Sequence, residues 1–159
     1  MPRFEPKNPD YREVATATFA RQQAMRTFRM SIARLEPGEV DLSMPYSLDW
    51  TQQNGFVHAG VITAGLDTAC GIAAFTLMPA GSDVLTVEFK TNLLAPAKDK
   101  RFLFRAHVVK PGRTLTVCEA RARRRNPDRD DVRGRRSRPL DISDEPQAID
   151  DPERILFAS

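Results

Sequence analysis

The chain has 159 residues and 41% hydrophobic residues, enough for one domain with its own core and too apolar for a fully disordered polypeptide. Its formal charge of +3 is uneven: residues 121–138 hold nine arginines and three aspartates, and removing that net +6 leaves −3, so the basic character belongs to one segment and not to the domain. Cys70 and Cys118 lie far apart with no CxxC pair, and residues 1–10 have no apolar signal core; this argues against a disulfide framework, a cysteine metal site and secretion, and predicts a reduced, cytoplasmic protein.

The first predicted element is an amphipathic helix over residues 9–25, with Asn8 as its cap, Pro9 in its first turn, and Tyr11, Val14, Ala15, Thr18, Phe19 and Gln22 on one face. Phe28, Met30 and Ile32, then Val40, Leu42 and Met44, alternate with polar residues around the Pro37-Gly38 turn signal, which predicts a β-hairpin. Residues 49–55 read as a loop. From His58 or Ala59 to about Leu77 runs a nearly uncharged segment. Residues 56–78 are long enough to span a bilayer, but Asp67 at the centre is costly there and Gly, Ala and Thr fill much of the run, so a helix buried in protein is expected instead, without membrane insertion. Gly65 and Gly71 weaken such a helix intrinsically, by about 1 kcal/mol each against Ala, and close packing is their usual justification.

Three strands are predicted next, over residues 85–90, 101–108 and 114–120, with Pro111-Gly112 turning between the last two. The order of helix, two strands, long apolar helix and three strands implies an α+β fold in which an antiparallel sheet curls around the central helix. The domain is expected over residues 1–122. Residues 123–159, a basic half followed by an acidic half, read as a charged tail, disordered or atypical.

One constellation can do chemistry. A helix starting near Ala59 presents unpaired backbone N–H groups, which can hold a developing oxyanion. Gly60 allows close approach to the backbone. Asp67, about two turns further on and the only formal charge in the helix, suits a general base or nucleophile. Gln52 could orient a water or a carbonyl. Singly, each residue has a structural reading: a capping His58, a buried acid, a loop Gln52, a turn glycine. Their joint spacing is what points to a site.

That spacing resembles the signature of the PaaI-like branch of hotdog-fold acyl-CoA thioesterases, related to the 4-hydroxybenzoyl-CoA thioesterases: an amide, two spacers, Gly, two spacers, His-Gly-Gly, and an acid nine residues after the His. Gln52, Gly55, His58, Gly60 and Asp67 occupy those positions. Thr86 to Lys90, Leu94 to Ala97 and Val108 to Leu115 are similar as well, and the likeness covers roughly residues 10–122. It implies hydrolysis of acyl-CoA thioesters to free acid and CoA, the carbonyl being held at the backbone N–H groups of Ala59 and Gly60. Asp67 would activate water or attack directly, Gln52 would position the carbonyl or the water, Thr86 would assist the acid, and His58 would support the loop or the thioester. It implies substrate contacts at Gly55 and Asn54, no cofactor or metal beyond the coenzyme A of the substrate, and a site built between protomers of a homodimer, often paired again into a homotetramer. Lys98 and Arg113 sit in turns where the family often meets the nucleotide. Phe56, Phe75 and Phe89 suit an aryl or a medium-chain acyl group alike.

The chain departs from the pattern twice. Ala59 replaces the first Gly of His-Gly-Gly while keeping the N–H. Where the family continues with another apolar strand, Arg123-Arg-Arg-Asn-Pro stands instead. Either the sheet lacks a strand, or residues 155–157 fill in, or the C-terminus is an altered reading of an ancestral sequence. That departure motivates an alternative, a non-catalytic hotdog protein that binds acyl-CoA or a related ligand. The motifs of hotdog dehydratases are absent. The arginine block lacks aromatic interleaving, and no nucleic-acid partner is expected.

Overall fold

A computed structural model describes residues 4–124 and the strand Glu153–Ala158; of the predicted tail, residues 125–152 and 159 lie outside the described residues. Two short helices open the chain, α1 (Tyr11–Arg21) and α2 (Gln23–Thr27). The single helix predicted over 9–25 is broken at Gln22, whose backbone is extended (ψ 103°) and whose Oε1 accepts a 3.2 Å hydrogen bond from Thr68 Oγ1. The break lets Phe19 and Met25 both enter the core. The helix also starts two residues later than predicted, at Tyr11 with Asp10 and not Asn8 as its N-cap, because Asn8 Oδ1 is engaged ahead of it by Asp10 N–H at 3.0 Å.

The predicted hairpin is present as β1 (Ser31–Glu36) and β2 (Glu39–Pro45), paired antiparallel about Gly38, where φ is +76° and a side chain would be strained. The central helix is α3 (Ala59–Phe75); it stops two residues before Leu77, where the chain tightens into Leu77 N–H to Ala74 O and Met78 N–H to Phe75 O bonds. No helix of the described residues is long and apolar enough to cross a membrane. Four more strands follow: β3 (Glu88–Thr91), β4 (Arg101–Lys110), β5 (Val117–Arg124) and β6 (Glu153–Ala158). β5 begins and ends later than the predicted 114–120, because inward Cys118, Ala120 and Ala122 still alternate with outward Glu119, Arg121 and Arg123. β3 is shorter than predicted, because its partner β6 ends at Ala158, opposite Glu88.

The six strands lie in the order β1-β2-β4-β5-β6-β3, every neighbouring pair antiparallel. Of the three outcomes open for the C-terminus, residues 155–157 fill in: β6 pairs with β5 on one side and with β3 on the other. This is the α+β architecture expected, a curled antiparallel sheet with α3 on its concave face. Val40, Leu42 and Met44 of β2 and Phe104 and Val108 of β4 are fully buried together with Ile62, Leu66 and Ile72 of α3. Each such side chain contributes roughly 1.5–3 kcal/mol on leaving water. Helix and sheet come this close because position 65 is glycine. A Cβ there would sit 2.7 Å from Phe104 Cε1 and 2.8 Å from Met30 Cε, so close packing accounts for Gly65. Gly71 is different: among the described residues, a Cβ there would meet no atom outside the neighbouring helix backbone within 4 Å.

Candidate active site

The loop ahead of α3 is fixed mainly by its own backbone. A short 3-10 turn at Leu48–Trp50 leads into a bridge between Thr51 and Val57. Gln52 N–H donates to Phe56 O (2.8 Å) and Gly55 N–H to Gln52 O (3.0 Å). Gly55 has φ +77°, which explains a glycine at that position. Tyr46 Oη donates to Gly55 O at 3.0 Å, and Val57 N–H reaches Ala97 O at 2.8 Å. Buried Trp50 receives His58 N–H on its carbonyl at 2.9 Å. Tyr46 and Trp50 were absent from the sequence-based site; aromatic residues flanking a polar loop are their only signal.

His58 is the N-cap of α3, with extended backbone. Its Nδ1 accepts the Gly60 N–H at 3.0 Å, while Val61 and Ile62 N–H groups bond its carbonyl. The expected pair of oxyanion donors is thereby divided: Gly60 is engaged by the imidazole, and the N–H of exposed Ala59 has no partner among the described residues. A Cβ on residue 60 would lie 3.1 Å from His58 Nδ1, so glycine there makes room for the cap.

Two turns along α3, half-buried Asp67 meets Thr86, which lies 19 residues later in the segment leading into β3: Thr86 Oγ1 donates to Asp67 Oδ1 at 2.7 Å. The expected acid and its hydroxyl partner are brought together. Gln52 is not brought to them. Its Oε1 accepts from Asn54 N–H inside its own loop, and no hydrogen bond joins Gln52 to Asp67 or His58. Asn54 is exposed beside it. Lys98 stands over the Phe56 ring, with Nζ 5.8 Å from its centroid, and so lies against this loop. Arg113 lies past the opposite end of β4, a ten-residue strand about 30 Å long, so the two basic candidates flank different ends of the sheet.

Buried Cys70, on the far side of α3 from solvent, has its thiol pushed well above its ordinary 9.0 by burial, with the neighbouring Cys118 and the charges of Asp67 and Glu119 adding to it. Cys118 Sγ donates weakly to Cys70 O at 3.7 Å. Both cysteines are buried packing residues.

Comparison with known proteins gives consistent results. The sequence profile described as the thioesterase superfamily matches residues 54–129. A candidate esterase of Saccharolobus solfataricus is 31% identical over 97 residues, which is 61% of this chain and 69% of that protein. The crystal structure of a thioesterase family protein from Silicibacter pomeroyi superposes with a TM-score of 0.75 at 44% identity, covering 93% of this chain and 95% of that one. The E. coli PaaI protein, from a phenylacetic acid degradation operon, superposes with a TM-score of 0.71 over 96% of this chain and 93% of its own; at 12% identity this is a likeness of fold alone.

Proposed function

This chain belongs to the thioesterase superfamily, and within the thioester hydrolysis that membership supports we propose that its substrates are acyl-CoA thioesters and that Asp67 carries the reaction. The observation behind this reading is the Thr86 Oγ1 to Asp67 Oδ1 bond on the half-buried side of a helix whose first N–H has no partner among the described residues. With Oδ1 occupied, Oδ2 faces the reacting group. It takes a proton from a water as the water oxygen attacks the thioester carbon, and the carbonyl oxygen gains negative charge against Ala59 N–H. The tetrahedral intermediate collapses with cleavage of the C–S bond, and the proton held by Asp67 passes to the CoA thiolate. Direct attack by Asp67, through an anhydride that water then opens, is the other form of the same chemistry. His58, by engaging Gly60, leaves one donor at the helix end. Gln52 positions the water or carbonyl only if its side chain turns out of its own loop.

Ala59 and Asp67 are eight residues apart on one helix, about 12 Å along its axis. Two contacts and a bridging water, each about 3 Å, do not cover that span. The carbonyl is therefore held by one protomer and the acid supplied by its partner, which makes the working unit a homodimer. The surface that fits this pairing is β3, the last strand of the sheet among the described residues, with the segment leading into it, where Leu85, Val87 and Phe89 are 81%, 69% and 47% exposed. A two-fold axis beside that edge would pair β3 with its copy and bring the two α3 helices antiparallel, next to the segment carrying Thr86. Pairing of dimers into a tetramer would follow the family habit. Free Cys70 and Cys118 fit a reducing, cytoplasmic compartment.

One observation favours the alternative of a binding protein without turnover: Gln52 Oε1 is held by Asn54 N–H and makes no hydrogen bond to Asp67. Thiol release from phenylacetyl-, benzoyl-, short- and medium-chain acyl-CoA by purified protein separates the two readings. Hydrolysis by the parent that falls by about 10²–10⁴-fold in Asp67→Ala and Asp67→Asn supports catalysis by Asp67. An Asn variant as fast as the parent removes Asp67 from the mechanism. A folded dimer that binds acyl-CoA without turnover establishes the binding protein.

A further inference from the structure

Along α3 the buried residues leave one half-buried stripe that includes Ala64, Asp67, Gly71 and Phe75, and Asp67 is its only charge. Gly65, one position off it, is glycine because the sheet leaves no room. Gly71 has no such reason: among the described residues, no atom outside the neighbouring helix backbone lies within 4 Å of where its Cβ would be. A mid-helix glycine without a packing demand costs helix stability and returns only open space. That space sits one turn, about 6 Å, beyond Asp67, and Phe75 closes the next turn.

We infer that Gly71 sets the length of acyl group the protein accepts, the acyl chain lying along α3 from Asp67 over Gly71 toward Phe75. The inference rests on the proposed acyl-CoA reading and deepens it. In the two-fold pairing that sets the partner's Ala59 against Asp67, the partner helix begins at that residue. Gly71, one turn further on, lies past its start, so the facing helix does not fill the space above the glycine. The chain passes no charge from Asp67 to Phe75, about 12 Å along the helix, and the Phe75 ring meets its far end. The substrates favoured are thus medium-chain or arylalkyl thioesters, with short acyl groups bound less fully.

The test compares the parent with Gly71→Ala and Gly71→Leu on acetyl-, butyryl-, octanoyl- and phenylacetyl-CoA. Binding of butyl- and octyl-CoA thioethers, which cannot be hydrolysed, is measured in parallel. The expected result is a drop of at least tenfold in kcat/KM and in affinity for the octyl compounds in Gly71→Leu, less than twofold for butyryl, and Gly71→Ala in between, with dimer mass unchanged and Tm of Gly71→Ala equal to or above the parent. Equal losses at every chain length, or dissociation of the dimer by Gly71→Leu, would overturn the inference and make the position a helix contact. A parent that binds thioethers without hydrolysing any ester sinks the catalytic reading while the binding series still decides on Gly71. A parent that neither binds nor hydrolyses removes both.

Discussion

Thr86 Oγ1 lies 2.7 Å from Asp67 Oδ1, a hydrogen bond that ties the segment entering β3 to the middle of α3. The hydroxyl donates, so it stabilises the charged carboxylate. Removing it in Thr86→Ala should lower kcat by about tenfold, the equivalent of a charge-assisted bond of about 1.5 kcal/mol, with little change in Tm because Thr86 is exposed. Thr86→Ser should recover most of the rate. Steady-state kinetics on one good acyl-CoA reads this, and a Ser variant as slow as the Ala variant would show that the methyl group, not the hydroxyl, matters.

His58 holds the Gly60 N–H and thereby the shape of the helix start. His58→Ala should cost about 1 kcal/mol of stability, the usual value of a lost N-cap, and free a second N–H. His58→Asn, which can cap through its side-chain oxygen, should restore the stability. Chemical denaturation of the three proteins checks the cap. An Ala variant as stable as the parent would mean that the imidazole contributes nothing there.

Thr76 joins the end of α3 to the β1–β2 turn. It is fully buried, donates to Ala73 O at 2.7 Å and accepts Gly38 N–H at 2.7 Å. Thr76→Val keeps the shape and removes the acceptor, leaving a buried N–H unsatisfied. A loss of about 1–3 kcal/mol is expected in chemical denaturation. Thr76→Ser should lose less, as it retains both hydrogen bonds.

Gly65→Ala places a methyl group within 3 Å of Phe104 and Met30. The overpacking cost of about 1–3 kcal/mol should exceed the gain of about 1 kcal/mol in helix propensity, so this variant should melt below the parent. The opposite sign expected at Gly71 makes the two glycines each other's control.

The hairpin, α3 and the meeting of Asp67 with Thr86 were legible because each depends on local alternation, on a helical run, or on a motif of fixed spacing. What was not legible depends on contacts from elsewhere. Gln22 breaks the first helix while bonding Thr68 of α3, a partner 46 residues away. Gln52 satisfies its own loop before any substrate, which motif spacing does not report. Lys98 and Arg113 look alike in sequence, yet β4 separates them by its whole length. The place of β6 between β5 and β3 is a sheet order that no local pattern encodes.

Cys70 provides the pH dependence. Burial, then the Cys118 thiol and the charges of Asp67 and Glu119, raise its pKa above the ordinary 9.0 that it regains on unfolding. A raised folded pKa means that the native state keeps a proton the unfolded chain gives up. The stabilisation is therefore fully present below pH 9.0 and is lost as pH rises from there through the folded value. Urea midpoints should hold level up to about pH 9 and fall beyond it, and Cys70→Ala, although less stable throughout, should show a shallower fall. The same burial predicts that neither thiol reacts with a maleimide in the native protein at pH 7 and that both react in denaturant. Rapid native labelling of Cys70 would show that α3 opens away from β5 far more readily than its packing implies.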